Sequence, residues 1–385
     1  STNALVTNAF PAQERGKALG IYIALATIFL ALGPLLGGFL TQVFSWRAVF
    51  WINFPIALIS IILAISSVPT WRRREKLNID YLGFFISVIF ISGFVLGFME
   101  APNWGWTSLP IMGLFLLSII SLITFIGWEK KIPHPLVELT LFKNLTFTTL
   151  FSVLLIIQAV AIVFVFLAIF LQNVLHYSPL MAGLLLLPAM VPIMLMAPVG
   201  GHLRDKYGPT LPMFCGALLV VLSLIWIAIF SHNRGYAWLF PGLLVYGIGM
   251  PLILSGIMAT VMNMVNAQQR GMASAIFNCA RQFGNTIGLA LLTGLLASVN
   301  KWQLNSFLHH SPVPLSRLKE QQIDGLLVQS DQAMKAIAHL SLAHIELLKT
   351  AALNAYTNAF SMTLLAAAIL AFLSLFLILK IPRKQ

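Results

Sequence analysis

Apolar residues along this chain come in long blocks, with polar and charged residues collected between them. Ten blocks stand out, at about 17–43, 46–69, 81–101, 108–128, 147–172, 180–203, 210–231, 236–264, 270–298 and 353–380. A helix rises about 1.5 Å per residue, so about twenty apolar residues cross a hydrocarbon core of about 30 Å. The pattern predicts an all-α membrane protein with ten transmembrane helices. Only the stretch 299–352 breaks the rhythm. It reads as a long loop with room for short amphipathic helices.

Composition agrees: 59% of the 385 residues are hydrophobic, 9% are charged, and the mean hydropathy is +0.91. Soluble domains carry about 25% charged residues. The net charge of +12 invites a nucleic-acid reading. That reading fails, because the basic residues sit at the ends of apolar blocks and build no soluble face. Their distribution sets orientation instead. If Arg15 is cytoplasmic, then Arg72, Arg73, Arg74, Lys76, Lys130, Lys131, Lys143, Arg204, Lys206 and Lys380 share its side. The short loops opposite hold only Arg47 and Arg234. The C-terminus is therefore expected in the cytoplasm, and the loop 299–352 outside it. Cys215 and Cys279 lie in apolar blocks with no disulfide or metal spacing, and read as small buried hydrophobes. The start, STNALVTN, resembles the tail of a helix and has no signal-peptide pattern. Either Ser1 follows a removed initiator Met, or the chain continues upstream.

The first block is unusual. ALGPLLGGFL, residues 31–40, places Gly33, Pro34, Gly37 and Gly38 inside a helix. Glycines four apart let a neighbouring helix approach, and proline removes a backbone hydrogen bond and bends the helix. The region also repeats: residues 11–38 align with 266–292, with Ala18/Ala273, Ile21/Ile276 and Gly33/Gly288 coinciding. The two copies open the first and ninth blocks. A transporter of two six-helix halves would set them six apart. The surplus of two suggests an inserted hairpin at about 81–128, and the same symmetry places four helices before the first block. The expected organisation is the end of an N-terminal bundle (1–70), a cytoplasmic linker and two-helix hairpin (71–130), and a C-terminal six-helix bundle (131–385).

These residues resemble the major facilitator superfamily, and within it the fourteen-helix drug:proton antiporters of the EmrB/QacA-like group. That group's antiporter motif is G, eight residues, G, three residues, GP, two residues, GG. Gly20, Phe29, Gly33, Pro34, Gly37 and Gly38 fall on its positions, with Phe29 the one departure. The resemblance implies that this kinked helix packs against the opposing half and seals one gate; plain helix packing is the alternative. SWRAVFWINFPI (45–56) and LAIFLQNVLHYSPLMAGLLLLP (167–188) also resemble segments of this branch. GGHLRDKYGP (200–209) is similar to the superfamily's cytoplasmic loop motif, with Gly201, Asp205 and Gly208 in place. Pro209 and Thr210 stand where basic residues are usual. Asp205 is read either as a partner for a helix N-terminus, Arg204 or an arginine across the halves, or as part of a solvated turn.

Polar side chains within a span are functional candidates. Ser274, Asn278, Arg281, Gln282 and Asn285 share one face of the ninth helix. Arg281 lies roughly 16 Å from the cytoplasmic end at 1.5 Å per residue. The face lines a central substrate path or forms a polar seam between helices. Gln158, mid-span, is a second cavity candidate. No acidic residue sits near the middle of a span. Glu100, near the outer end of the third, is read as either a surface anchor or an acidic transport site. The family's coupling acids usually lie in early helices.

No phosphate-binding loop is present, since Lys206 is not followed by Ser or Thr in frame. The expectation is no enzyme, no cofactor and no metal. The resemblance implies a secondary active transporter of the plasma (inner) membrane. It would export amphipathic toxic compounds in exchange for protons, with the lipid bilayer as its surroundings. A periplasmic adaptor enters through the resemblance alone. A selective exporter of one metabolite, or a non-transporting remnant, are the alternatives.

Overall fold

A computed structural model describes residues 32–67, 80–133, 135–265, 269–310 and 342–381. Their helices are α1 (Leu32–Val43), α2 (Ala48–Ser66), α3 (Tyr81–Trp104), α4 (Leu109–Glu129), α5 (Leu145–Asn173), α6 (Pro179–Tyr207), α7 (Thr210–Phe230), α8 (Tyr236–Met264), α9 (Arg270–His310) and α10 (Leu342–Leu379). The described residues contain no strand. Nine of these helices are long and apolar enough to cross a membrane, and α1 is the described part of the first block. Gly20 and Phe29 lie outside the described residues.

Helix ends follow local chemistry. The Asp80 side chain caps α3 by accepting from Gly83 N at 2.9 Å. Asn144 caps α5 through Thr146 N and Phe147 N, at 2.9 and 3.3 Å. Gly208, at φ +79°, ends α6 in a backbone conformation that favours glycine. Turns interrupt α5 at Ile162 and α6 at Leu186, and α6 carries Pro192 and Pro198 inside its second segment.

Helices α5 to α10 form the core. α10 packs on α5, α7 and α9, and α8 on α6 and α7. Aromatic pairs pin α5 to its neighbours. Phe170 stacks on Phe360 at 4.4 Å, Phe164 meets Tyr246 edge-on at 4.8 Å, and Phe147 meets Phe277 at 5.2 Å. Small residues allow the close crossings. A Cβ on Gly216 would stand 2.6 Å from the Gly249 carbonyl oxygen, and one on Gly249 would stand 2.7 Å from that of Gly216.

α3 and α4 pair as a hairpin, with Ser118 Oγ donating to Phe90 O at 2.9 Å. The hairpin lies along α9. Phe90 stacks on Phe283, and Trp106 Nε1 donates to Ser298 Oγ at 3.1 Å. A Cβ on Gly294 would stand 2.7 Å from Phe98 O.

Two expectations change. The range 299–352 is not wholly loop: α9 runs on to His310 and α10 begins at Leu342. A helix of 41 residues is roughly 60 Å long, about twice the hydrocarbon thickness. The extensions pack on each other, burying Leu304, Leu348 and Ala352, with Asn358 Nδ2 donating to Gln303 Oε1 at 3.0 Å. The cysteines are not buried either. Cys215 and Cys279 are both exposed, because a small apolar side chain needs little burial to be accommodated on a helix surface.

Candidate functional site

The glycine-rich end of α1 lies against the start of α6. A Cβ on Gly38 would stand 2.3 Å from Pro179 O, and one on Gly183 would stand 2.4 Å from Pro34 O. The contacts run in opposite chain order, so the helices are antiparallel, each notched by a glycine where the other's backbone passes. Any side chain at either position would force them apart. A Cβ on Gly33 or Gly37 would meet no described atom within 4 Å. Within the motif, Gly38 and the Pro34 carbonyl form this contact.

The seam also has a polar lock. The first turn of a helix carries N–H groups with no partner inside the helix. In α6, Pro179 has no N–H, Met181 N donates to Ser178 Oγ at 3.3 Å, and Ala182 N donates to Ser178 O at 2.8 Å. Leu180 N donates at 3.2 Å to Gln42 Oε1 from α1. One helix thus completes the cap of another. Neither Gln42 nor Gly183 was a candidate from sequence. The only signal for Gly183 was its place in the stretch 167–188.

The polar face of α9 forms as its spacing requires. Asn278, Arg281 and Gln282 are exposed, and Ser274 and Asn285 are half-buried. No described residue forms an ion pair with Arg281. The opposite face, with Phe277, Ala280, Gly284 and Gly288, is buried. Gln158 belongs there: it is buried on α5, and a Cβ on Gly284 would come 2.8 Å from its Cβ. It lies in the α5–α9 seam, apart from the exposed polar face. Glu100 accepts from Asn103 Nδ2 at 3.3 Å on its own helix. It sits past Phe98, which abuts Gly294, several turns beyond Asn285.

At the far end of α6, Asp205 pairs with the neighbouring Arg204, whose Nε donates to Asp205 Oδ1 at 2.9 Å. The Asp205 side chain is exposed and does not cap α7. Gly208 makes the turn, while a Cβ on Gly201 would meet no described atom within 4 Å. The tight glycine is its neighbour Gly200, where a Cβ would meet Ser255 Oγ at 2.5 Å and Pro251 O at 3.1 Å on α8.

A family model described as Major Facilitator Superfamily matches residues 1–289. The chain belongs to the major facilitator superfamily. Among curated relatives, multidrug resistance protein Stp of Mycobacterium tuberculosis is 31% identical over 317 residues, 82% of this chain and 59% of its own length. The tetracenomycin C resistance and export protein of Streptomyces glaucescens is 28% identical over 296 residues, 75% of this chain and 54% of its own. This major facilitator chain therefore spans between half and three fifths of the length of these relatives. Two inward-facing crystal structures of a bacterial homologue of the human lysosomal transporter Spinster share its fold. Their TM-scores are 0.54 and 0.55 at 17% and 16% identity, over 98% and 100% of this chain and 72% and 75% of theirs. With nine membrane-length helices among its described residues, this major facilitator protein is an integral, multi-pass membrane protein.

Proposed function

We propose that the protein works as a secondary exporter of amphipathic toxic compounds. It is driven by proton antiport, lies in the fourteen-helix branch of its superfamily, and resides in the inner membrane with a cytoplasmic C-terminus. The α1–α6 seam is its gate. What carries this reading is the reciprocal glycine notch at Gly38 and Gly183, closed by the Gln42 lock. The notch joins the motif helix to the C-terminal bundle by backbone contact, so the two separate as rigid pieces. Asn278, Arg281 and Gln282 offer polar groups to a substrate path at membrane depth. The resistance and export proteins among the relatives support an exported substrate.

The test is flux through the natural protein in vesicles under an imposed pH gradient. Transport of several unlike dyes is the expected result. Transport of one compound narrows the reading to a selective exporter, and absence of any flux overturns it. Gly38→Leu and Gly183→Leu are expected to cut the flux alike, by at least about tenfold, the equivalent of about 1.4 kcal/mol.

A further inference from the structure

Two acidic side chains lie at the base of the α3–α4 hairpin, away from the gate and from the polar face of α9. Asp80, 6% exposed, begins α3, and Glu129, 3% exposed, ends α4. Acids at the ends of membrane helices normally reach water. These two are turned inward.

Their hydrogen bonds are unequal. Asp80 is well supplied. Its Oδ1 accepts from Gly83 N at 2.9 Å, and Trp128 Nε1 lies 3.0 Å from Oδ1 and 3.2 Å from Oδ2. Glu129 Oε2 accepts from Val137 N at 3.2 Å, whereas its Oε1 is buried with no partner among the described residues. Oε1 stands 3.1 Å from the point where a Cβ on Gly83 would lie, and Asp80 Oδ2 stands 2.0 Å from that same point. The orphaned oxygen and Asp80 Oδ2 thus both border the spot that Gly83 leaves without a side chain. Among the described residues, no basic nitrogen comes within 4.0 Å of either acid.

A buried carboxylate with an empty oxygen beside a like charge is an unstable arrangement, and two such groups hold a proton in common. We propose that Glu129 and Asp80 form a proton-binding site. A proton on Glu129 Oε1 is donated to Asp80 Oδ2, and this bond latches the base of the hairpin. The latch reaches further, because Glu129 Oε2 also holds Val137, in the segment that leads from the hairpin to the C-terminal bundle. Beside Glu129 opens a cavity of about 1130 Å³, which Lys130, Glu138 and Lys143 also line. Loss of the proton sets two negative charges against each other and drives the Glu129 carboxylate toward those lysines. The hairpin base then loosens from its linker. This site depends on neither the substrate nor the direction of transport.

Infrared spectroscopy of the natural protein in detergent tests the assignment. At neutral pH the spectrum is expected to contain a protonated-carboxyl band that Glu129→Gln removes and Glu138→Gln leaves. Asp80→Asn removes the like charge, so the band is expected to disappear at a lower pH. Gln is the neutral twin of protonated Glu, with an amide that can donate to Asp80. Glu129→Gln is therefore expected to fold with unchanged thermal stability. Absence of the band from the natural protein, its persistence in Glu129→Gln, or failure of Glu129→Gln to fold would each overturn the proposal.

Discussion

Helices α2 and α7 are close in mean hydropathy, at 2.4 and 2.7, yet among the described residues they are packed differently. No residue of α2 is buried, and half of the most apolar stretch of α7 is. The difference lies in the groups that reach outward. α7 brings Gly216 to the backbone of Gly249, Ser223 Oγ donates to Gly242 O at 2.8 Å, and Trp226 Nε1 donates to Trp238 O at 2.8 Å. On α2, Asn53 Nδ2 and Ser60 Oγ donate to carbonyls of their own helix, Val49 O and Ile56 O, at 3.1 and 2.7 Å. Lipid is as apolar as leucine, so hydropathy places a helix in the membrane and leaves its neighbours undecided. Small residues and hydroxyls choose the neighbours.

Replacing the glycine at the α7–α8 crossing should have the largest effect. Gly249→Leu is expected to leave little folded protein in detergent size-exclusion profiles, whereas Ala57→Leu on α2 leaves the profile intact. Next comes truncation. Leu224→Ala removes a fully buried side chain and is expected to cost about 2–5 kcal/mol. Ile61→Ala, at a side chain 56% exposed, should cost under about 0.5 kcal/mol. Reversible unfolding in detergent measures both, and equal costs would break the comparison by showing α2 packed as tightly as α7. Within α7 the smallest effect is expected for Ser223→Ala, about 0.6 kcal/mol for one bond between membrane helices. A cost near zero would give the whole α7–α8 pairing to its glycines.

The spans were legible because about twenty apolar residues leave an unmistakable mark. Their ends were less so. The extension of α9 through KWQLNSFLHH and the start of α10 at LAHIELLKT are amphipathic, so they fall outside any apolar block while folding as helix. The glycine motif could be read as a whole, but not its division of labour. Spacing puts Gly33, Gly37 and Gly38 on one helix and cannot say which of them meets Pro179. Gln158 looked like a cavity residue because a mid-span amide must serve something. The structure gives it the α5–α9 seam, since Gly284 leaves room there. The Asp80–Glu129 pair was invisible, because acids at the ends of apolar blocks ordinarily mean water.

The lock between Gln42 and Leu180 spans 138 residues of chain, whereas α7 and α8 are joined by one short turn. Ribosomes work at roughly 5–20 residues per second, so α6 emerges on the order of ten seconds after α1. Over that interval the notch at Gly38 waits in the bilayer without its counterpart, while α7 and α8 can pair almost as soon as they are made. The contact proposed as the gate thus has to wait for a distant partner, whereas α7 and α8, although made later, do not.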